Sequence, residues 1–387
     1  MARIIFHIDV NNAFLSWSAV VQKKNDIDPR LVSAVVSGDI ESRNSIVLAK
    51  SIKAKETGIK TGEPLKQALK KDPNLLVIAP DYDLYTKMSY QLFVFLQKYT
   101  PDIEICSIDE CFIDYTPVKR LYGDEYQFAK KLQKEIFAFF GFTVNIGIAN
   151  NKLCAKMASD LEKPNKINTI YENEVVLKMH LLPIERLFGV GQKTASLMRK
   201  IGINKISDLA NYDIKKLKKY FPNQAEHFIN MAWGIDDAEV IINSGKNKGI
   251  SNSQTFEKDI DDEQILINKL YQLGSHVAFQ LRQQDVQAYV IGIIIKDAFF
   301  QVKSHQKKIR NATNDTKEIN EITKNLFLQA WDRKPVRLLG VKAEKLTNES
   351  YYQISFFENE EQKEKNLRLN ETLDKLYQKY GHKVIRR

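Results

Sequence analysis

The chain has 387 residues, 43% of them apolar, and 58 lysines and arginines against 48 aspartates and glutamates give a formal charge of +10. This length exceeds one ordinary domain and the composition excludes a disordered chain, so we expect two to four compact units. The charge suits a polyanionic partner without requiring one. The longest apolar runs, such as residues 289–295, are too short to span a bilayer and no signal-peptide pattern is present, which predicts a cytoplasmic protein without membrane contact. Three cysteines without CxxC spacing predict neither a zinc site nor a disulfide.

The first part of the chain alternates strand and helix patterns. An apolar, β-branched run from Arg3 to Val10 predicts a buried strand that ends at Asp9, and Asn11 and Asn12 are expected to cap the helix that follows. The order βα…ββαβα predicts a ferredoxin-like α+β fold. The further predicted elements are helices Thr61–Lys71 and Leu84–Tyr99, strands Ile103–Ile108 and Cys111–Tyr115, helix Phe128–Phe140, strand Thr143–Ala149 and helix Lys152–Glu162.

The second part contains two further patterns. Residues 168–240 predict short helices punctuated by Gly and Pro, and residues 241–250 predict an exposed linker because they are rich in Gly, Asn, Ser and Lys. Another α+β unit follows. Its predicted elements are helices Asp262–Gln284 and Lys317–Trp331 and strands Gln287–Lys296, Arg337–Leu346 and Tyr351–Phe357.

Three carboxylates stand at the ends of apolar strands. Asp9 ends the first strand, and Asp109 and Glu110 lie at or beside the turn of a predicted hairpin. Ionised groups next to a dry core need a partner, and oxygen ligands of this kind suit Mg²⁺. Two such ions about 4 Å apart can support an in-line phosphoryl transfer. The simpler alternative is that Asp9 caps a helix and the other two are turn residues, and spacing alone favours that alternative.

Two basic features could meet phosphates. Lys152, Lys156 and Lys163 are spaced so that one helix face is expected to carry all three, although a solvated face is the commoner use of such spacing. The stretch FGVGQKTA, residues 188–195, is similar to the glycine turn of a helix-hairpin-helix, where amides at a helix start bind a phosphate. Two close glycines are weak support by themselves.

Several motifs in order resemble those of the Y-family, DinB/UmuC-like, lesion-bypass DNA polymerases over residues 1–358. They are IIFHIDVNNAFLSW, CSIDECFIDY, VNIGIANNKLCAKMASDLEKPN, LPIERLFGVGQKTASLMRKIGI and SNSQTFEKDI. The resemblance implies a multidomain α+β fold with a ferredoxin-like palm, small fingers, a helical thumb containing a helix-hairpin-helix, and an α+β little finger. The implied bounds are palm 1–12 and 78–167, fingers 13–77, thumb 168–240, linker 241–250, little finger 251–358 and a helical tail 359–387.

The resemblance also implies roles at the catalytic centre. Asp9, Asp109 and Glu110, with the backbone carbonyl of Val10, would hold two Mg²⁺ ions, for which Mn²⁺ is an expected substitute. Lys55 and Lys163 would contact the incoming nucleotide. Phe14 would be the steric gate that leaves no room for a 2′-hydroxyl, with a core aromatic as the alternative.

The fingers and the first helix depart from the family pattern. Ile52 and Lys55 stand where the family often has Tyr and Arg, and Lys55 keeps the charge without the bidentate fork. Asn11 and Ser18 stand where acidic residues are common. These departures concern nucleotide affinity and rate more than the class of reaction.

The resemblance further implies two sets of DNA contacts. In the thumb these are Gly189, Gly191, Lys193 and Thr194, and in the little finger they are Lys303, Lys307, Lys308 and Arg310. Contacts of this kind to phosphates carry little sequence information, as a polymerase that copies any template requires. A mobile loop with solvated lysines is the alternative for the second set.

The segment QISFF resembles the short peptide with which bacterial polymerases dock on the sliding β clamp. Its residues are Gln353, Ile354, Ser355, Phe356 and Phe357, and a terminal strand of the little finger is the alternative. Together these features predict a monomeric, template-directed, low-fidelity DNA polymerase that binds primer-template DNA, dNTPs and the clamp, and that bypasses damaged bases. A nucleotidyl cyclase with a similar core and a non-catalytic DNA-binding and clamp-binding repair scaffold are the rival hypotheses.

Overall fold

The computed structural model describes residues 3–21, 27–42, 45–242 and 248–348, together with 372, 374–376 and 379. The chain divides into two compact units, Met1–Ser244 and Gly245–Arg387. Within the described ranges, none of the helices has the length and apolar character needed to cross a membrane.

The first unit is built around a mixed sheet whose central strand is β1. In chain order, the strands of the first unit are β1 (Ile5–Val10), β2 (Ala34–Ser37), β3 (Val47–Lys50), β4 (Leu76–Ile78), β5 (Ile103–Ile105), β6 (Glu110–Asp114), β7 (Val144–Ala149) and β8 (Ile167–Ile170). The main sheet has the order β5-β6-β1-β7-β8, with β1 antiparallel to both neighbours and β7 parallel to β8. Every residue of β1 and β7 is buried, which explains why apolar side chains dominate both strands, and His7, Asp9 and Asn145 are their buried polar residues.

Helices cover this sheet and extend beyond it. They are α1 (Ala13–Val21), α2 (Ile52–Glu56), α3 (Leu65–Lys71), α4 (Tyr82–Leu96), α5 (Lys119–Tyr122), α6 (Glu125–Phe140), α7 (Lys152–Ser159), α8 (Val175–Lys178), α9 (Gln192–Lys200), α10 (Ile206–Ala210), α11 (Ile214–Tyr220) and α12 (Ala225–Ala232). Several begin at the polar caps that the sequence offers, including Asp81, Asp124 and Asn151, whose side chains accept hydrogen bonds from first-turn amides. One core joins β1, α1, α4 and α6, and a second joins α7 to the helices from α8 to α12.

Two regions of the first unit differ from the predicted elements. Residues 34–78 contain a small sheet of order β3-β2-β4, which the sequence analysis missed because its strands have only three or four residues each. The predicted helix from Thr61 begins later, at Leu65. The helical region predicted from residue 168 begins only after β8, whose residues Ile167–Ile170 pair with β7 in the main sheet.

The second unit is a sheet with two helices on one face. Its elements are β9 (Gly249–Ile260), α13 (Glu263–Gln283), β10 (Gln287–Asp297), β11 (Val302–Thr313), α14 (Thr316–Ala330) and β12 (Val336–Thr347), and the sheet has the antiparallel order β11-β10-β12-β9. The core lies between this sheet and the helices. The sequence pattern did not predict β9 and β11. The predicted linker 241–250 is also too long, because β9 begins at Gly249.

Candidate active site

The pairing of β1 with β6 brings two of the three predicted carboxylates together. Asp9 lies directly opposite Glu110 in the antiparallel register. Asp9 is 7% exposed, whereas the Glu110 side chain is partly open. Asp109 precedes β6, where its carbonyl oxygen accepts a hydrogen bond from the Val10 amide at 3.1 Å. The Asp109 carboxylate accepts a hydrogen bond from Ser107 Oγ at 2.6 Å, so it stands beside the pair and has a partner of its own.

Two lysine ammonium groups balance these carboxylates. Lys156 Nζ lies 2.7 Å from Glu110 Oε1 and 3.5 Å from Asp9 Oδ2, and Lys163 Nζ lies 2.8 Å from Asp9 Oδ2. Asp160, which the sequence analysis did not single out, bonds to both lysines at 3.3 and 2.8 Å. The site is therefore a compact network of opposite charges, three carboxylates and two ammonium groups, at the edge of a buried sheet.

The prediction that one helix face carries Lys152, Lys156 and Lys163 is wrong. Helix α7 ends at Ser159, so Lys163 reaches Asp9 from the segment that follows the helix. Lys152 is on the helix but pairs with Glu104 of β5 at 2.6 Å, and its ammonium lies 5.1 Å from the centre of the Phe112 ring. A spacing rule for helices fails where the helix stops.

The charges and the burial shift the protonation equilibria of the network. Burial raises the pKa of Asp9 from 3.8 to about 6, although Lys163 acts in the opposite direction. The neighbouring His7 ring and Lys156 lower the pKa of Glu110. Burial opposes the charged form of both lysines, yet the carboxylates raise the pKa of Lys156 and of Lys163. The two acids therefore differ, because a proton is held more readily on Asp9 than on Glu110.

A buried histidine lies behind the carboxylates. His7 Nδ1 lies 2.8 Å from Ser159 Oγ, while His7 Nε2 faces Glu110 Oε2 at 3.8 Å, longer than an ordinary hydrogen bond but close enough for a ring N–H there to favour the ionised carboxylate. Burial lowers the pKa of His7. The sequence analysis missed His7 and Ser159, although the two-residue period of a strand places His7 on the same side of β1 as Asp9.

The donor set is suited to a divalent cation. Among the residues that the structure describes, no three His, Cys, Asp or Glu side chains are already grouped as metal ligands. The pair Asp9 and Glu110 nevertheless offers hard oxygen donors side by side, and the lysines at 2.7 and 2.8 Å show that this pair is balanced by positive charge. The chemistry of these residues therefore fits the predicted metal.

Phe14 is half-buried on α1, where its ring stacks on Tyr85 at 4.5 Å between centroids with an interplanar angle of 10°. The Tyr85 hydroxyl in turn lies 2.9 Å from Ser18 Oγ, which gives Ser18 a structural partner. Asn11 is buried and hydrogen-bonded to Asn145 at 3.1 Å. The ring of Phe14 is therefore held in a fixed orientation with part of its surface free, which leaves both the gate and the core interpretation open.

The predicted nucleotide contact in the fingers lies on α2. Lys55 and Ile52 are both exposed on this short helix, which Ser51 caps. The adjacent Lys50 has a lowered pKa, because burial and the charge of Lys55 both disfavour its ammonium form. This part of the first unit therefore concentrates positive charge.

The glycines of the FGVGQKTA stretch shape the start of α9. Gly189 has a φ of +83°, a conformation that favours glycine, and Gly191 is the N-cap residue of the helix. Lys193 is exposed and Thr194 half-exposed in the first turn. The first amides of a helix have no intrahelical acceptor, so this exposed helix start can bind a phosphate oxygen.

Among the described residues, polar, small and some apolar side chains line the sheet face of the second unit that lies opposite the two helices. Ile291, Ile293 and Ile295 of β10 face the helices, so the residues between them form the other face. By register this face, which we call the open face, contains Ser251 and Ser253 of β9, Gly292 and Lys296 of β10, Ser304, Gln306 and Lys308 of β11, and Gly340 and Lys342 of β12, together with the apolar Val290, Ile294 and Leu338 and the acidic Glu344.

The open face separates the predicted DNA-binding lysines. Lys308 belongs to it, whereas Lys303 and Lys307 pair with Ile295 and Ile291 and so belong to the opposite side of the edge strand. Lys303 also forms an ion pair with Asp332 at 2.9 Å. Arg310 is exposed on β11. The alternative that these residues form a loop is wrong, because β11 runs from Val302 to Thr313.

The predicted clamp segment, residues 353–357, lies outside the described residues. Beyond it, Asp374 forms a bidentate ion pair with Arg282 of α13 at 2.7 and 2.8 Å. This contact connects the C-terminal tail to the second unit.

Comparison with known proteins places the chain in a family. A solved Y-family DNA polymerase chimera has the same fold, with a TM-score of 0.78 and 22% identity, over 89% of this chain and 100% of that one. Residues 8–160 match the impB/mucB/samB family and residues 247–356 match its C-terminal domain. The chain therefore belongs to this family of Y-family DNA polymerases, and the predicted fold class is confirmed.

Relatives of full length identify the branch of the family. DNA polymerase IV of Clostridium acetobutylicum is 42% identical over 100% of this chain and 98% of its own length. DNA polymerase IV 1 of Bacillus subtilis is 33% identical over 100% of this chain and 92% of its own length. The chain is thus a DNA-directed DNA polymerase of the DNA polymerase IV type, which confirms the predicted enzyme class.

Proposed function

We propose that this polymerase extends a primer along a DNA template, with low fidelity and past damaged bases, by a phosphoryl transfer that depends on two Mg²⁺ ions. The observation that carries the proposal is the register of β1 and β6, which sets Asp9 opposite Glu110 with Asp109 adjacent. Carboxylates in this arrangement belong to the ordinary chemistry of nucleotidyl transfer.

Asp9, Asp109, Glu110 and the carbonyl of Val10 would hold the ions, with Mn²⁺ as a substitute for Mg²⁺. The bound ions would ease loss of the proton from the primer 3′-hydroxyl and neutralise charge on the phosphates. The burial of Asp9 and the network around Glu110 keep these ligands in place before any ligand arrives.

The basic and aromatic residues around the carboxylates would bind the nucleotide. Lys163 lies within 2.8 Å of Asp9, close enough to the metal ligands to reach a bound triphosphate, and Lys55 adds charge from α2. Phe14 would pack against the deoxyribose, because its stacking on Tyr85 holds the ring in place. Lys156 is the most buried of these cations and would orient Glu110 instead of contacting substrate.

DNA would be held through its backbone. In the thumb, residues 168–240, the start of α9 with Gly189, Gly191, Lys193 and Thr194 offers amides to a phosphate. In the little finger, residues 251–358, the open face would offer Lys308, Lys342 and Lys296 to the DNA backbone. We also propose that residues 353–357 dock a monomeric enzyme on the sliding clamp, which rests on the resemblance of QISFF alone.

The deciding experiment is extension of a labelled primer on a longer template with dNTPs and Mg²⁺. We compare the parent protein with an Asp109→Ala, Glu110→Ala double variant and with Glu104→Gln, a matched acidic control on the neighbouring strand. Extension by the parent and the control, with none by the double variant, is the expected result. No extension by any protein with DNA binding intact would favour the scaffold hypothesis, and a cyclic nucleotide product would favour the cyclase.

A further inference from the structure

The hairpin that joins β10 to β11 displays two aromatic rings to solvent. Phe299 is 76% exposed and Phe300 is 62% exposed, and Val302 at the start of β11 is 58% exposed. Large apolar side chains that stay exposed contribute little burial free energy to folding, and a group of them often marks a binding site. Phe299, Phe300 and Val302, which we call the hairpin tip, have no assigned role in the proposed function.

The hairpin tip is held rigidly by the turn itself. The buried Asp297 carboxylate accepts hydrogen bonds from the amides of Phe299 and Gln301 at 2.8 and 2.9 Å. The Ala298 amide donates to the carbonyl of Pro335 at 3.1 Å, which connects the turn to the segment before β12. Phe300 adopts a φ of +65°, an unusual conformation for a residue with a side chain. A turn fixed in this way presents its rings at little cost in conformational entropy.

One cation contacts the hairpin tip directly. The Arg337 guanidinium lies 4.5 Å from the centre of the Phe300 ring. Lys303 follows Val302 on the other side of the edge strand, and it and Lys334 are paired with Asp332 at 2.9 and 3.2 Å. The acidic Asp297 is committed to the turn amides. Aromatic rings next to cations are the combination with which proteins bind single-stranded nucleic acid, since bases stack on the rings and phosphates meet the cations.

The position of the tip agrees with this ligand. Val302 pairs with Lys296, so the tip lies at the end of the open face proposed to bind DNA backbone. We infer that Phe299 and Phe300 form a stacking platform for unpaired bases of a DNA strand that continues beyond the duplex on the open face. This inference rests on the proposed DNA-binding role of that face. A protein partner is the other occupant that exposed aromatics suit, but the Arg337 guanidinium against Phe300 and the lysines of the adjoining open face favour nucleic acid.

The test is a set of binding titrations with the full-length protein and labelled DNAs that share one duplex. The DNAs are a blunt duplex, duplexes with an unpaired 5′ or 3′ extension, and the same extensions made of abasic nucleotides. A Phe299→Ala, Phe300→Ala double variant is expected to bind at least one base-containing extension about fivefold or more weakly, with no change for blunt or abasic DNA. Phe300→Trp should keep the affinity, whereas Phe300→Leu should lower it. Phe137→Ala, at an exposed phenylalanine of the first unit, is the control.

The outcomes separate this inference from the proposed function. A Lys308→Glu, Lys342→Glu double variant should weaken binding of the blunt duplex, and its failure to do so would remove the open face as a DNA site. If that variant behaves as expected but the phenylalanine variants bind every DNA like the parent, the stacking platform is wrong. Loss of clamp-stimulated extension alone in the phenylalanine variants would also overturn it, in favour of a protein contact.

Discussion

Replacing Gly147 by alanine adds only one methyl group but should strongly destabilise the first unit. Gly147 lies in the middle of the main sheet, opposite His7 of β1 and Asn168 of β8. Helix α7 crosses directly above it, so an added Cβ would overlap the Ala155 carbonyl oxygen and the Ser159 amide nitrogen. Both are backbone atoms of the helix and neither can rotate away.

The loss of stability can be worked out from the shift of α7 that is needed to relieve this overlap. Ordinary contact begins at 3.4 Å, so α7 must move by on the order of 1 Å. Overpacking of this kind costs about 3 kcal/mol, at the upper end of its usual range, because the sheet is fixed on both sides. For a unit of this size we expect a fall in melting temperature of about 6 to 12 °C. The shift would also stretch the 2.8 Å contact of Ser159 with His7 and the 2.7 Å contact of Lys156 with Glu110.

Hydrogen exchange and primer extension together measure both effects. Amides of residues 144–159 should exchange faster in Gly147→Ala than in the parent, while amides of the second unit remain unchanged. Extension should fall by about a hundredfold, because a displacement of 1 Å near reacting groups is that costly. A Gly147→Ala protein that melts within about 1 °C of the parent would refute the close approach of α7 to β7.

Three further variants test individual side chains. Burial raises the pKa of Asp9 to about 6, so below that pH the folded protein without metal holds a proton there, and the resulting stability is full below pH 3.8 and is lost as the pH rises through about 6. Asp9→Asn should remove this part of the pH dependence of urea unfolding in the presence of a chelator, and identical curves for both proteins would contradict the assignment. Phe14→Ala should lower the preference for dNTP over rNTP by roughly tenfold or more in single-nucleotide insertion, and unchanged sugar discrimination would exclude the gate. Asp332→Asn should release Lys303 and Lys334 and tighten DNA binding on the order of threefold at low salt, with a steeper dependence on salt concentration; equal salt slopes would show that neither lysine reaches a phosphate.

The meeting of the carboxylates proposed as metal ligands could be predicted from sequence because it follows from strand pairing. An apolar strand ending at Asp9 and a hairpin around Asp109 and Glu110 need only one antiparallel contact to meet, and the register supplies it. The lysines were less predictable. Spacing suggested one helix face, but the end of α7 at Ser159 and the ion pair of Lys152 with Glu104 depend on tertiary contacts.

Strand β11 shows why part of the second unit was missed. It is an edge strand with exposed, polar residues on both sides, so KSHQKKIRN carries no alternation of apolar and polar residues. The buried partner of the catalytic pair was missed for another reason. A histidine in an apolar strand gives no indication that its ring meets Ser159, which lies 152 residues further along the chain.

The lysines around Asp9 and Glu110 affect the state of the protein before a metal ion binds. Many metal centres exist only when the metal is present, because their ligands repel one another in its absence. Here Lys156 and Lys163 act as built-in counterions that keep Asp9, Glu110 and Asp160 together. The carboxylates are therefore held together without a metal, and under the proposed function an arriving cation would replace the lysines as their counterion. Each lysine released by that exchange would become available to a phosphate, so binding of the ion and of the nucleotide would favour each other.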